Sequence, residues 1–338
     1  MPTRPDLVRR GMLAAGAVTP FARGAAAQRS RNFRLGHAFP AEGAVAKAID
    51  HAAAVLAERS GGRLRLEQVP DGRLGTQREM LQHVIEREVA LSIAPPADLA
   101  FGCLTMFALD LPFIARDLDH VLRMYASSKF LDCLRFMESE GSVTGVGLHA
   151  LGPPWYLGTR QMATRRDRPI GAPEDLRGLR MRVGAGPILP AMMAALGAHP
   201  THMAAGPDLA EALRSGALDG MEATLATIAD HGPPPIQGCL ALTGHVVMTV
   251  LPVTNTQSWH LLLAEQQRLL QDALRMGGAH CTWMIQERER ALHQTFGHHA
   301  ELSITRPDRA PFRGALESFY HRYRQFIGPS TLAEMEAL

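Results

Sequence analysis

Charge of one sign, clustered cysteine, dense aromatics and long apolar runs are all missing from this chain. Its 35 lysines and arginines nearly balance 33 aspartates and glutamates, for a formal charge of +2. That is too mild for the basic footprint of nucleic-acid binding. Aromatic residues make up 6% of the chain and do not interleave with a basic run, so that second sign of nucleic-acid binding is missing too. The four cysteines, Cys103, Cys133, Cys239 and Cys281, form no CxxC pair and no zinc spacing, which excludes a thioredoxin-like motif or a zinc ribbon. An even count permits one or two disulfides in an oxidising compartment without demanding them, and buried thiols fit equally well. No apolar run is long enough to span a bilayer. A G-x-S-x-G elbow, a P-loop, a dinucleotide fingerprint and internal repeats are likewise absent.

What is there is an ordinary globular composition, 46% hydrophobic and 20% charged over 338 residues, a length that favours two domains. The N-terminus reads in three parts: basic "RPDLVRR", apolar "GMLAAGAVTPF" and small-residue "ARGAAAQ". This is the pattern of an export signal spanning residues 1–27, with cleavage after Ala25-Ala26-Ala27. Arg9-Arg10 fits the twin-arginine route loosely, and the Sec route stays open.

Downstream, "FRLGHAF" reads as a strand, and residues 42–59 repeat Val45, Ile49, Ala53 and Leu56 at helical spacing before Gly61-Gly62. "RLRLEQV" alternates as a half-buried strand does. A helix over about 77–87 and the strand "VALSIA", ending at Pro95-Pro96, complete a β-α-β-α-β order, which implies a mostly parallel α/β layer. The order recurs with "APEDLRG" as a short helix, "LRMRV" as a strand, helices over about 187–196 and in "GPDLAEALRSG", and "GMEATLA" as a strand. Two such units in series predict a bilobal α/β protein. Residues 258–297 are nearly all helix-forming.

Arginine density inside "LRGLRMRV" needs an explanation, because charge within an apolar run is costly unless something negative meets it. Arg177 precedes a turn glycine and is expected in water. Arg180 and Arg182 share a strand face by period-two alternation, with Met181 and Val183 on the other. Arg182 lies near the carboxyl end of its strand, where ligands of parallel sheets bind. Spacing alone is also compatible with a solvated or ion-paired strand arginine.

The segments "FALDLPFIARDLDH", "GTRQMATRRDRPIGAPEDLRGLRMRV" and "ALRSGALDGMEA" together resemble the solute-binding receptors of TRAP transporters, the tripartite ATP-independent periplasmic class. "GHAFPAEG", "LGAHPTHM" and the helical tail extend the match, in order, over nearly the whole mature chain. The resemblance implies a periplasmic-binding-protein-like fold, two α/β lobes joined by hinge strands, with a long helix across both. Lobe I would take residues 28–157 plus about 249–288, and lobe II residues 158–248 plus about 289–338. It further implies a non-catalytic, monomeric receptor that binds an organic acid and docks on a TRAP membrane permease, with no cofactor, metal or nucleic acid. Arg182 matches the family arginine that forks onto the ligand carboxylate, and Arg160 in "GTRQ" matches a second, with Gln161 and Arg165 as neighbours able to replace it. Pro95, Trp155, Ala205, Glu222 and Ala223 complete the expected pocket. Guanidinium suits the task, being planar, always charged and able to bond both carboxylate oxygens.

Three departures stand out. Ala223 occupies the place of the usual asparagine, small residues around Ala205 and Gly206 replace an aromatic, and Arg87 replaces a helix-closing glycine. The first two predict a less polar, differently shaped pocket. The competing reading is a secreted α/β enzyme acting on a small carboxylate or a metal-dependent substrate. Against it, the histidine groups His199/His202 and His293/His298/His299 have no cysteine or acidic partner at metal spacing. Asp219 and Glu222, with Gly220 between them, read more simply as a turn aspartate and a strand glutamate than as an acid/base pair.

Overall fold

A computed structural model describes residues 30–139, 147–184, 186–231 and 238–338. The export signal and its Ala25-Ala26-Ala27 site lie outside the described residues. The first α/β run forms as the hydrophobic spacing predicts. Strand β1 (Arg31–Gly36) leads into helix α1 (Ala44–Arg59), which buries Val45, Ala48, Ile49, Ala52 and Leu56 along one stripe. Strand β2 (Leu64–Val69), helix α2 (Gln77–Ile85) and strand β3 (Leu91–Ala94) follow. A capping box starts α2: Thr76 Oγ1 accepts from the Glu79 amide while the Glu79 carboxylate accepts from the Thr76 amide. The helix stops two residues earlier than its spacing suggests, because Arg87 takes φ +64°. The position demands the left-handed conformation that glycine supplies freely, and an arginine fills it.

Two 3₁₀ turns, Pro96–Leu99 and Leu104–Leu109, precede helices α3 (Leu118–Ala126) and α4 (Ser128–Glu138). A disulfide joins Cys103 of this loop to Cys133 of α4, and Cys239 and Cys281 remain buried thiols. Strands β4 (Leu148–Ala150) and β5 (Trp155–Thr164) come next. The second α/β run then comprises a 3₁₀ turn at Pro173–Leu176, β6 (Arg180–Val183), α5 (Ile188–Ala195), β7 (His199–His202), α6 (Pro207–Arg214), β8 (Gly220–Thr224) and α7 (Leu225–His231). The chain ends with β9 (Cys239–Asn255), α8 (Thr256–His260), α9 (Ala264–Gly297), β10 (Ser303–Thr305), α10 (Arg309–Ala315), α11 (Glu317–Ile327) and α12 (Pro329–Ala337).

Ten strands form a sheet in the order β2-β1-β3-β9-β5-β8-β6-β7, with β4 and β10 also paired to β9. Each α/β run contributes a parallel block: β1 with β2 and β3, and β6 with β7 and β8. Between them lie two long strands of opposite sense. β9 runs antiparallel to β3 through residues 251–254 and to β5 through residues 239–250, and β5 runs antiparallel to β8. The α/β halves are thus joined through the two strands whose patterns lack clean alternation.

Helix α9, 34 residues and so about 51 Å long, packs on both halves. Its Gly277 lies against the Ala48 carbonyl of α1, and Gly278 lies against the indole of Trp155. Further along, Glu289 accepts from the Thr159 amide at 2.8 Å and the Tyr156 hydroxyl at 2.6 Å on β5. Arg288 reaches Asp230 of α7. Among the described residues no helix is long and apolar enough to cross a membrane.

Candidate functional site

Strand β8 turns its side chains alternately to the two sheet faces, and this sorts the candidate residues. In the antiparallel pairing with β5, Glu222 lies opposite Met162, Ala223 opposite Gln161 and Thr224 opposite Arg160. Arg160 and Glu222 therefore share one face, while Gln161 and Ala223 share the other. Across the parallel pairing with β6, Arg182 lies opposite Met221, on the Gln161–Ala223 face.

On the first face Arg160 and Glu222 form a buried fork. Nε and Nη2 of Arg160 each donate to one carboxylate oxygen at 2.6 Å. Glu222 is fully buried and also accepts from the Gly184 amide at 3.1 Å. His245 Nε2 stands 3.2 Å from the same carboxylate, and its Nδ1 is 2.8 Å from the Thr243 hydroxyl. Burial alone would raise the Glu222 pKa, yet the Arg160 charge and the His245 and Arg160 hydrogen bonds hold it well below the usual carboxylate range. Burial lowers the His245 pKa, against the opposing pull of Glu222. A neutral imidazole donating Nε2–H to Glu222 and accepting from Thr243 satisfies every atom of the chain. Thr243, His245 and Glu222 have the order of a nucleophile, base and orienting acid, but Thr243 is 2% exposed and Arg160 claims the carboxylate. The line of groups steadies Arg160.

Arg182 differs. It is 6% exposed, with Nε donating to the Met203 carbonyl at 2.8 Å and Nη1 to the Glu222 carbonyl at 3.3 Å. Both acceptors are neutral, and among the described residues no carboxylate forms an ion pair with it. Burial lowers its pKa, Glu222 opposes this, and the neighbouring Arg160 charge adds to it. Nη2 and half of Nη1 have no protein acceptor among the described residues. The other two arginines of "LRGLRMRV" are accounted for. Arg177 is exposed at its turn, and Arg180 grips Asp219 at 2.8 and 3.0 Å and the Gly216 carbonyl at 2.6 Å.

The remaining expected residues spread out. Pro95 follows β3, half-buried, in the turn whose Ala97 amide donates to Asp110 at 2.6 Å. Burial pushes the Asp110 carboxyl up to about 7, with the Ala97 bond and the Arg160 charge opposing and Asp98 assisting. Ala205 is exposed just beyond β7. The expectation that Trp155 walls a pocket is corrected: it is 1% exposed, its ring pressed on Gly277 and Gly278 of α9, and it is a core residue. The fork of Arg160, expected as the second and less secure clamp, is occupied by Glu222. The group missed altogether is Thr243-Gly244-His245, where β9 bulges against β5 between the Arg160–Val246 and Met162–Ala241 pairs. A glycine inside a strand-like run is the signal that marks such a bulge. Among the described residues one cluster, His83, Glu86 and Glu88, brings three metal-type ligand atoms within 4.8 Å of one another. It sits at the end of α2 and shares no residue with the arginine site.

The profile of the family described as bacterial extracellular solute-binding protein, family 7, matches residues 35–325. The sialic acid-binding periplasmic protein SiaP of Vibrio cholerae is 29% identical over 284 residues, 84% of this chain and 85% of that protein. The C4-dicarboxylate-binding periplasmic protein DctP of Rhodobacter capsulatus is 26% identical over 291 residues, 83% of each. Among solved structures, a TRAP periplasmic solute binding protein from Ochrobactrum anthropi superposes with a TM-score of 0.80 at 21% identity, covering 92% of this chain and 95% of that one. Another from Roseobacter denitrificans, with bound β-D-glucuronate, gives 0.76 at 22% identity over 90% and 99%.

Proposed function

The chain belongs to the bacterial extracellular solute-binding proteins of family 7, the receptors of TRAP transporters, and on that premise we propose that it captures a small organic acid between its lobes and hands it, unchanged, to a membrane permease. One observation carries the reading. Arg182 is a buried cation with neutral acceptors on part of its fork and no carboxylate on the rest. Arg160 and Glu222 cancel each other, so the site keeps one unmet positive charge, which a ligand carboxylate neutralises through charge-assisted hydrogen bonds. Sialic acid, the C4-dicarboxylates and β-D-glucuronate, named for the relatives, are all acids.

In this reading each residue has a part. Arg182 holds the carboxylate, and Arg160, held by Glu222 and His245, adds its field without moving. Ala223 offers a methyl floor, Pro95 approaches from the β3 side, and Ala205 borders the open edge. Lobe I takes residues 28–157 and 249–288, and lobe II residues 158–248 and 289–338, with β5, β9 and α9 crossing between. The change of partner along β9, from β5 through residue 250 to β3 from residue 251, supports that boundary. Closure about these strands expels water and strengthens the ion pair. The mature protein starts near Gln28 and works in the periplasm as a monomer.

A thermal-shift screen of mono- and dicarboxylates, keto acids and aromatic acids tests the reading. A binder at about one hundred times its Kd adds about 2.7 kcal/mol, a rise of several degrees, and is recovered intact by mass spectrometry. No shift with any carboxylate, or recovery of a chemically altered compound, overturns it.

A further inference from the structure

The last three helices tie together elements that precede β5 and elements that follow it. Helix α10 packs on the 3₁₀ turn at Pro173–Leu176. Helix α11 packs on α5 and on the 3₁₀ turn at Leu104–Leu109, burying Phe319, Tyr320, Tyr323 and Ile327. Helix α12 packs on α11 and on the same Leu104–Leu109 turn, burying Leu332 and Met335. Together they form a strap across the two α/β halves.

The last carbonyls of a helix have no partner within it, and that end carries partial negative charge. In α12 they are met from α3 and the residues leading into it. Arg116 Nη1 donates to the Glu336 carbonyl at 3.0 Å, and Arg123 Nε to the main-chain oxygen of Leu338 at 2.9 Å. His120 Nε2 lies 2.8 Å from the Met335 carbonyl. His120 is 0% exposed, and its Nδ1 accepts the Arg116 amide at 3.1 Å. With the Nδ1 lone pair taken by an amide hydrogen, the ring is the neutral tautomer that keeps its proton on Nε2, toward α12. Burial lowers the His120 pKa, the Met335 bond and Asp117 opposing and Arg116 and Arg123 assisting.

The other charges at the junction have their own engagements. Asp117 accepts the His120 amide at 2.7 Å, and Glu336 pairs with Arg313 of α10 at 3.2 Å. Arg309 of α10 donates to the Ala115 carbonyl at 3.1 Å, and Arg324 of α11 pairs with Glu317. Lys129 of α4 lines a small cleft with Glu334 and Leu338, and Asp119 is exposed. Asp110, which ends the Leu104–Leu109 turn, is a buried carboxyl pushed up to about 7, so acid relieves it and acts there in the opposite sense.

We propose that His120 is an acid-operated catch on this strap. Neutral, it fastens α12 to α3. Protonated, it opposes the Arg116 amide, adds a third cation beside Arg116 and Arg123, and lets α12 go, so that the halves are tied through α10 and α11 alone. A helix C-terminus welcomes a cation, but Arg116 and Arg123 already serve this one and the Nδ1 position is closed. A histidine with a depressed folded pKa gives its full stabilisation above its unfolded value of about 6.5 and loses it as pH falls below that.

The test is hydrogen exchange with mass-spectrometric readout on the mature chain from pH 7.5 to 5.0, above the range in which Glu222 titrates. Protection factors are compared, so the intrinsic pH dependence of exchange drops out. Peptides covering 329–338 should lose about tenfold or more of their protection between pH 6.5 and 5.0, the slope of one proton allowing at most about tenfold per pH unit. Peptides from β5 and β9 should keep theirs. His120→Gln retains an N–H for the Met335 carbonyl and cannot be protonated, so it should hold the wild-type protection of pH 7.5 to within about twofold throughout. His120→Leu, with no donor, should show the acid level of α12 protection already at pH 7.5. Protection of α12 that stays flat or rises with acid in the wild type, or an equal acid loss in His120→Gln, overturns the proposal. So does an equal loss in β5 and β9, which marks general unfolding instead of a released catch.

Discussion

Removing the carboxylate of Glu222 while keeping Arg160 should be among the most damaging single changes in the molecule. Glu222 is fully buried and the Arg160 side chain is 8% exposed, with two contacts of 2.6 Å between them. Glu222→Gln leaves Arg160 and Arg182 buried together with no anion, and breaking such a pair costs about 3–5 kcal/mol. For a chain of this size about 2 °C accompanies each kcal/mol, so the melting temperature should fall by about 6–10 °C. Arg160→Met should cost a similar amount by stranding Glu222. The double variant Arg160→Met/Glu222→Met, with neither charge present, should lose far less than the two single losses added together, because apolar replacement of a whole buried pair is often near neutral. Chemical denaturation of the four proteins at pH 7 reads the coupling. The pH dependence has a definite sign. The folded pKa of Glu222 lies below its unfolded value, so its stabilisation is complete above about pH 4.3 and is lost as pH falls toward the folded value. Wild type should therefore weaken between pH 5 and 3 more steeply than Glu222→Gln. Single losses that simply add in the double variant, or equal acid sensitivity of both proteins, would rule out a coupled Arg160–Glu222 pair.

Four further outcomes follow from packing, the disulfide and the backbone. Gly277→Ala puts a methyl 2.7 Å from the Ala48 carbonyl and Gly278→Ala puts one 2.4 Å from the Trp155 ring, so each should lose about 1–3 kcal/mol or more. Gly297→Ala, with nothing within 4 Å of its added methyl, should gain up to about 1 kcal/mol in the same denaturation assay. Reduction of Cys103–Cys133, which closes a 30-residue separation, should cost about 3–4 kcal/mol, and a double serine variant should melt at the reduced protein's temperature in either buffer. Arg87→Gly relieves a left-handed arginine at φ +64° and should raise the melting temperature by about 1–2 °C, since such a conformation costs about 1–2 kcal/mol and glycine gives back part of that as entropy.

The first α/β run and most of the second were legible because those elements carry their own period and their own stop, whereas β7, largely exposed and without an apolar residue at the alternate positions, and α7 were not. The 42–59 stripe and the Pro207 helix start are local signals, and a local signal survives in sequence. β5 and β9 were not legible. "CLALTGHVVMTVLPVTN" is buried along nearly its whole length, so it shows no polar-apolar alternation, and Gly244 and Pro252 argue against a strand on their face. Arg182 stood out by its place at a strand end and by resemblance. Alternation placed Arg180 and Arg182 on one face and so could not tell which is buried, because Asp219 holds Arg180 in solvent. The pairing of Arg160 with Glu222, 62 residues apart, depends on the β5–β8 register, which neither segment encodes alone.

The most direct test of the central claim is calorimetric titration of the tightest-binding carboxylate from the screen against wild type, Arg182→Ala and Arg182→Lys. Arg182→Ala should lose about 3–5 kcal/mol of binding, roughly a hundred- to several-thousand-fold. Arg182→Lys should recover only part of it, because an ammonium supplies charge without the planar fork. Binding by Arg182→Ala as tight as that of the wild type would contradict it.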